Sequence, residues 1–388
     1  MINELIYKAT KLFNKNEHTF NVYFSPGRIN IIGEHIDYNG GLVFPCALDL
    51  GIYAVASKND NNKVRCYSEN FTELGIIEFS IKCFDKSVEG TWVNFVKGMI
   101  KEINKDGYQI DNGFDLYIYS TLPIGVGLAS SASLEVLVGT IINDLFSLNY
   151  KPLDLVLISQ RCENNYIGVQ CGIMDQYVIG MSILNNAMLI DTRELLHEHV
   201  NLDLDDYTFI IGNTNLNRSL VESKYNERRI ECEKSLEILK EYYSINNLCN
   251  LSSHELHNIK KILPSEKLYN RVVHVITENE RVKRLVKAIK TKNFQLVGSI
   301  LYESHNSLKN NYEVTGKYLD CLVESFERAG SLGARMTGAG FGGCVIALIQ
   351  KAKINDIMKK VDLLYHNLTG LKADFYIVKS NSSTRKIN

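Results

Sequence analysis

Hydrophobic and polar positions alternate over Phe114–Tyr119, the pattern of a strand with one face in a core. Downstream, Leu134, Leu137, Val138, Ile141, Ile142 and Leu145 recur at helical spacing, predicting a helix over Ser133–Phe146. Residues 1–16 form an amphipathic helical pattern without the apolar core of a signal peptide. Short strands are predicted at Val22–Phe24, Leu42–Ser57, Lys63–Tyr67 and Ile76–Ile81, and a helix begins at Trp92. Pro152, at a favoured first-turn position, starts a helix running to about Tyr166. The pattern then changes. Asn201–Tyr207 is acidic, Phe209–Ile211 is a buried strand, Asn213–Arg218 is a polar turn, and Tyr225 to about Tyr243 is a charged amphipathic helix. Lys234–Asn311 is largely helical in pattern, Val345–Ile349 and Lys372–Lys379 are strands, and Ser380–Asn388 is expected as a loose tail. The change near Asn201–Asp206 suggests two domains, 1–203 and 204–388.

Between the strand ending at Tyr119 and the helix from Ser133 lies Pro123–Leu134, rich in glycine and serine. Strand, glycine turn, then helix is an arrangement suited to phosphate: glycine lets backbone N–H groups approach, and the helix start offers unpaired donors. It is not a P-loop, because no lysine lies between Lys105 and Lys151. Nor is it a dinucleotide fingerprint, because Ser130 stands where glycine or alanine is required. Ser130 and Ser131 suit a helix cap or a metal ion. A second glycine loop, Thr337–Gly343, carries four glycines whose entropic cost argues for close approach to a ligand or to the first loop.

Charged residues concentrate elsewhere. Arg28, Glu34, His35 and Asp37 fall within ten positions, bracketed by Gly27, Gly33 and Gly40–Gly41. This is the composition of a loop beside a pocket. Neighbours on an extended chain point oppositely, which disfavours a metal site and favours hydrogen bonding to a hydroxyl-rich ligand. Asp175, alone in a run of apolar and amide residues, is either an N-cap-like residue or a working carboxylate. Trp92, the only tryptophan, either packs in the core or stacks on a base. His254 and His257 have a metal-like spacing, but in a leucine-flanked surface helix without an acid-rich partner nearby they read as incidental.

The 388 residues are 45% hydrophobic and 22% charged, with a formal net charge of −1. Such a chain builds a large core, and neither sign of charge dominates enough to suit nucleic acid or a membrane surface. Nine scattered cysteines without a C-x-x-C pair predict free thiols, hence a reducing compartment and a cytoplasmic address.

Three motifs in order, joined by a fourth, give the chain a family resemblance. Pro123–Ala132 and Thr337–Gly343 resemble the phosphate loop and C-terminal glycine motif of the superfamily containing galactokinase, homoserine kinase, mevalonate kinase and phosphomevalonate kinase. Gly27–Tyr38 and Cys171–Gln176 are similar to motifs of galactokinases in particular. One departure is Ala129, where that family more often has serine. The resemblance implies an α+β fold in two lobes: an N-terminal mixed-sheet domain like ribosomal protein S5 domain 2, and a C-terminal ferredoxin-like domain, with the site between them. It implies an ATP-dependent sugar 1-kinase with galactose and ATP as partners, Mg²⁺ as cofactor, no nucleic acid or membrane, and a monomeric state. Asp175 would be the base at the anomeric hydroxyl, with Arg28 beside it. Glu34, His35, Ile36, Asp37, Gly172 and Tyr225 would hold the sugar. Gly125, Val126, Gly127, Leu128, Ala129, Ser130 and Ser131 would wrap the triphosphate, and Ser68 and Trp92 would line the adenine side. Ser131 and Glu163 would hold Mg²⁺. A kinase for N-acetylgalactosamine, or a sensor of sugar and ATP without catalysis, are the other readings that the resemblance leaves open.

Overall fold

The computed structural model describes residues 1–86, 92–123, 125–216 and 221–388. Ile124 of the first glycine loop and Asn217–Arg218 of the expected polar turn lie outside them.

The N-terminal part runs α1 (Ile2–Phe13), β1 (Asn21–Asn30), β2 (Leu42–Val43), β3 (Pro45–Lys58), β4 (Lys63–Ser68), β5 (Ile77–Ser80), α2 (Val93–Lys105), β6 (Phe114–Ser120), α3 (Ser130–Phe146), α4 (Pro152–Arg161), α5 (Met174–Met181), β7 (Asn186–Asp191) and β8 (Leu196–Asn201). The C-terminal part runs β9 (Tyr207–Asn213), α6 (Val221–Lys240), α7 (Leu256–Ile262), α8 (Glu266–Lys290), α9 (Phe294–Ser307), α10 (Gly316–Ala329), β10 (Gly333–Thr337), β11 (Cys344–Gln350), α11 (Ile354–Thr369), β12 (Asp374–Ile377) and β13 (Arg385–Lys386).

The first sheet has the order β13-β1-β3-β6-β4-β5 and is mixed, because β4 runs parallel to β6 while its other pairs are antiparallel. The apolar positions predicted for α3 all turn inward: Leu134, Leu137, Val138, Ile141, Ile142 and Leu145 are buried in the main core. The other face of the sheet is covered by α1, whose Leu5, Ala9 and Phe13 bury against Phe20, Val22, Val55 and Tyr117. Each such large side chain contributes about 1.5–3 kcal/mol on burial. The second sheet, order β10-β11-β9-β12, is antiparallel with helical crossovers, the ferredoxin-like arrangement. A small sheet, β2-β7-β8, lies in the N-terminal part, and the 203/204 division falls between β8 and β9.

Two expectations are corrected. The segment 25–30 is no loop: β1 continues through Arg28 to Asn30, paired with β3 and broken by a register shift between Pro26 and Arg28. The tail is no loose end either. Asn381 N donates to Ala47 O, Ser383 N to Ser182 O and Ile387 N to Val22 O, and β13 adds to the edge of the first sheet. Backbone hydrogen bonds along a sheet edge hold a polar segment in place where its own apolar content would not. Thr384 sits at the centre of this strap: its hydroxyl is 2.8 Å from Ser25 Oγ on β1 and 3.2 Å from Ile179 O on α5. Thr384→Val keeps the shape and removes both bonds. It is expected to cost about 1–3 kcal/mol, read as a lower urea midpoint.

Candidate active site

β1 and α5 carry the two residues on which the site turns. Gly27 lies at the register shift, where a Cβ would meet the Leu122 side chain and lie 2.9 Å from Leu128 O. Its absence lets β1 touch the first glycine loop, and Arg28 N donates to Leu128 O at 3.1 Å. The Arg28 side chain then reaches two ways. Nη1 donates to Gly127 O at 2.8 Å, while Nε and Nη2 donate to Asp175 Oδ1 and Oδ2 at 2.7 and 2.6 Å. This bidentate fork is the strong, directional form of the pair. Asp175 is the second residue of α5 rather than its N-cap, and its carboxylate engages Arg28. Burial works against the guanidinium's charge, but the Asp175 and Glu34 carboxylates outweigh it and hold Arg28 more firmly protonated.

A cavity of about 170 Å³ opens at this pair. Its walls include Arg28, Asp175, Glu34, His35, Asp37, Gly172, Tyr225 and Glu163, so two residues 147 positions apart and most of the expected sugar set converge. Glu34 is fixed from three sides. Its Oε1 accepts from Gly338 N at 2.7 Å and lies 3.2 Å from Arg335 Nη2, and its Oε2 accepts from Asn30 Nδ2 at 3.1 Å. The second glycine loop therefore touches the site, and a Cβ on Gly338 (φ +87°) would stand 3.0 Å from Gly127 O of the first loop. The expected approach of the two loops is met.

His35 is differently placed from a free sugar donor. Its Nε2 faces the Ala339 carbonyl at 3.3 Å and must carry the proton, so Nδ1 accepts from Tyr38 O–H at 2.8 Å. Tyr38 in turn lies 2.9 Å from Tyr312 Oη, and Tyr312 3.1 Å from Cys232 Sγ. Burial, with His274 close by, pushes the His35 pKa down to about 3, so the ring is neutral. Both ring nitrogens are engaged, and His35 ties the signature segment to the second glycine loop. Ile36 is absent from the cavity wall. Its side chain is fully buried, packed where a Cβ on Gly41 would intrude.

Asp37 and Glu163 carry the site's excess negative charge. Burial and the nearby Asp175 push both up to about 7. Glu163 lies in a π-helical turn after α4, a widening often found at functional positions. It accepts from the Ser131 hydroxyl and, at 2.6 Å, from Gln176 Nε2. Asp37's raised value favours the folded state below the ordinary value of 3.8, and this stabilisation is lost as pH rises through about 7. The ligand-free protein is therefore expected to lose melting temperature across that window, with a shallower slope in Asp37→Asn. Equal slopes would contradict this.

The first glycine loop has Gly125, Gly127 and Ala129 at positive φ, 71°, 84° and 61°. Ala129 thus takes a conformation that costs an alanine about 1 kcal/mol. α3 begins at Ser130, three residues before the expected start, so Ser130 and Ser131 are its first two residues. Val126 and Leu128 are buried beneath the loop. Ser68 and Trp92 do not line the cavity: Ser68 ends β4 and accepts from Asn70 N at 3.3 Å, and Trp92 stands at the start of α2. The Trp92 indole N–H is buried without a partner among the described residues.

Three family models match the chain: the galactokinase galactose-binding signature over residues 10–58, and the GHMP kinase N-terminal and C-terminal domains over 94–182 and 285–367. A galactokinase of Clostridium perfringens is 50% identical over 372 residues, covering 95% of this chain and 96% of its own. The chain belongs to the galactokinase family. Lactococcus lactis galactokinase, 43% identical with 100% of this chain and 97% of its own covered, is a further relative. The solved structure of Lactococcus lactis galactokinase complexed with galactose superposes with a TM-score of 0.97 at 43% identity, over 100% of both chains. Methanococcus jannaschii mevalonate kinase, at 18% identity, 92% and 98% coverage and a TM-score of 0.68, shares the fold.

Set against that family membership, several wall and support residues had no separate role in the sequence reading. Gly338 and Ala339 belong to a glycine loop whose approach was expected, but their contacts with Glu34 and His35 were not. Arg335 had one available signal, as the one charged residue of strand β10, and it is wholly buried with Nη1 on Asn30 O and Ile31 O. Tyr38 and Tyr312 offered none, since tyrosines are frequent in this chain.

Proposed function

We propose that this chain transfers the γ-phosphate of ATP to the C1 hydroxyl of α-D-galactose, giving galactose 1-phosphate and ADP. The observation that carries the reading is the Arg28–Asp175 fork at the wall of a cavity whose other polar groups include Glu34, His35, Asp37, Glu163 and Tyr225. Carboxylates set around a small cavity accept from sugar hydroxyls, and an epimer leaving one of them unpaired loses about 1–3 kcal/mol. Asp175 accepts or orients the C1 hydroxyl proton. Arg28 holds the carboxylate aimed through its two hydrogen bonds, and its positive field opposes charge on the transferring phosphoryl group. Phosphoryl transfer is largely positioning and electrostatics, so two well-fixed side chains suffice on the sugar side.

The donor set suits Mg²⁺. Glu163, the Ser131 hydroxyl and nearby Asp175 give hard oxygen ligands of the kind Mg²⁺ takes. Ser131 and Glu163 would hold the ion, which when bound neutralises the phosphate oxygens. Backbone N–H groups of residues 125–131 at the start of α3 suit the triphosphate. Ser68 and Trp92 are assigned to the adenine side. Glu163→Gln is expected to raise the Mg²⁺ needed for half-maximal rate by about 10–100-fold. An unchanged Mg²⁺ titration would remove Glu163 from that role.

A panel of hexoses compared by kcat/KM with Mg·ATP tests the assignment. Galactose is expected to lead glucose and N-acetylgalactosamine. A lead by N-acetylgalactosamine would make the protein a kinase of that sugar, and sugar binding without ADP release would make it a sensor. No segment suggests a nucleic-acid or membrane partner, and no helix among the described residues is long and apolar enough to cross a membrane. We place the protein in the cytoplasm as a monomer. Its nine cysteines, all free and most buried, suit a reducing compartment.

A further inference from the structure

Behind the sugar side of the cavity lies α8, some 240 positions later in the chain, and it contacts the signature segment through main-chain atoms. His274 Nε2 faces the Glu34 carbonyl at 3.0 Å and so carries the proton, while Nδ1 accepts from Ser307 O–H at 2.9 Å. One helical turn on, Glu278 Oε1 accepts from Gly33 N at 3.1 Å and from Ser304 O–H at 2.7 Å, and Oε2 from Arg281 Nε at 2.7 Å. Asn279 Oδ1 accepts from Leu42 N at 2.9 Å. Residues four apart share one face of a helix, so His274 and Glu278 act on the segment together.

Their targets bracket one residue. The Gly33 N–H and the Glu34 C=O lie on either side of Glu34, and both are bonded to α8. The next residue, His35, has φ +63°, a conformation held only where its surroundings fix it. Gly33 itself has φ +103°, and a Cβ there would stand 2.9 Å from Val43 Cα and 3.2 Å from the Val282 side chain of α8, so the segment has no slack towards the helix. His274, Glu278 and Ser304 are wholly buried, and none of them lines the cavity.

We propose that α8 is the template that sets the sugar-binding segment 33–42, with His274 and Glu278 as positioning residues for hexose affinity. The proposal rests on the sugar-kinase reading for what the segment binds, and on hydrogen-bond geometry for how it is held. A carboxylate that must meet particular hydroxyls needs its backbone fixed to a fraction of an ångström. The chain obtains that from groups that never touch the ligand.

The test uses His274→Leu, which removes the bond to Glu34 O, and His274→Gln, whose amide nitrogen can replace Nε2. In His274→Leu the galactose KM is expected to rise about tenfold, with kcat within about threefold and the ATP KM unchanged. His274→Gln is expected to return to within about threefold of the native KM. Amide hydrogen exchange without substrate is expected to quicken in residues 33–37 of His274→Leu and to stay native in the strands of the first sheet. A folded His274→Leu protein with native galactose KM and native exchange, or with both substrates' KM values raised alike, would overturn the proposal. Should that variant not fold, Ser307→Ala takes its place, with the galactose KM expected to rise about three- to fivefold, and no change overturning the proposal. The exchange arm needs no turnover. A native protein that does not phosphorylate galactose would sink the functional reading, while the template would still stand or fall on the protection of residues 33–37.

Discussion

Asp175→Asn is expected to lower kcat with galactose by about 10²–10⁴-fold, with the ATP KM near native. The amide keeps the size of the side chain and loses what matters: it cannot take a proton, and it bears no charge to draw the C1 hydroxyl into line. It also leaves the Arg28 guanidinium, almost wholly buried, without its counter-charge. Breaking a buried pair costs about 3–5 kcal/mol, and the cost here falls at the low end because Asp175 is 29% exposed to the cavity. The variant must therefore be compared with native protein at a temperature where circular dichroism shows both folded. Rates are then measured by ADP release. A folded Asp175→Asn protein with native kcat would show that the proton goes elsewhere. Arg28→Ala is expected to fall in the same range, and the double variant no further, because the two side chains act as one unit.

Gly172→Ala is expected to raise the galactose KM about 10–150-fold while leaving the ATP KM unchanged. Gly172 is not at a left-handed φ, so alanine meets no backbone strain. The obstacle is steric: a Cβ at this position would overlap Asp37 Oδ2 and Cγ, with Oδ1 at 2.9 Å. Asp37 would have to turn away, and the Asp37–Gly172 wall is where the signature segment meets the loop before α5. Asp37→Ala removes the same carboxylate directly, so the two single variants and their double are expected to resemble one another in sugar KM. Additive losses would mean that Gly172 serves the sugar in some other way. Galactose binding by titration calorimetry gives a reading independent of turnover.

How far the sequence carried follows from the range of the interactions involved. Local signals were sound: the glycine–serine turn between Tyr119 and the α3 helix, the apolar stripe of that helix, and the charges of 28–37 each lie within a short window. The meeting of Arg28 with Asp175 came from family resemblance, since nothing local joins residues 147 positions apart. What escaped was long-range and chemically plain. His274 and Glu278 stand in a helix dense with charges, and only their contacts with Gly33 and Glu34 distinguish them. The tail from 380 to 388 is small and polar, the composition of a free end, yet β1 offers it an open sheet edge. His35 was expected to grip the sugar because imidazole can donate and accept, and the Tyr38 and Ala339 partners that use both nitrogens lie where no local pattern reaches. Ile36 was included as part of a contiguous signature, but a 3₁₀ turn starting at Asp37 directs its side chain into the core.

The central claim is that Asp175 and Arg28 deliver a terminal phosphoryl group to a hexose C1 oxygen. Phosphorus-31 nuclear magnetic resonance of native protein with Mg·ATP and galactose tests it most directly. The account predicts that ATP signals decline with matching growth of ADP and of one sugar phosphate ester, whose phosphorus couples to an anomeric proton of the α configuration. Growth of inorganic phosphate alone, or of an ester coupled to the C6 protons, would contradict it.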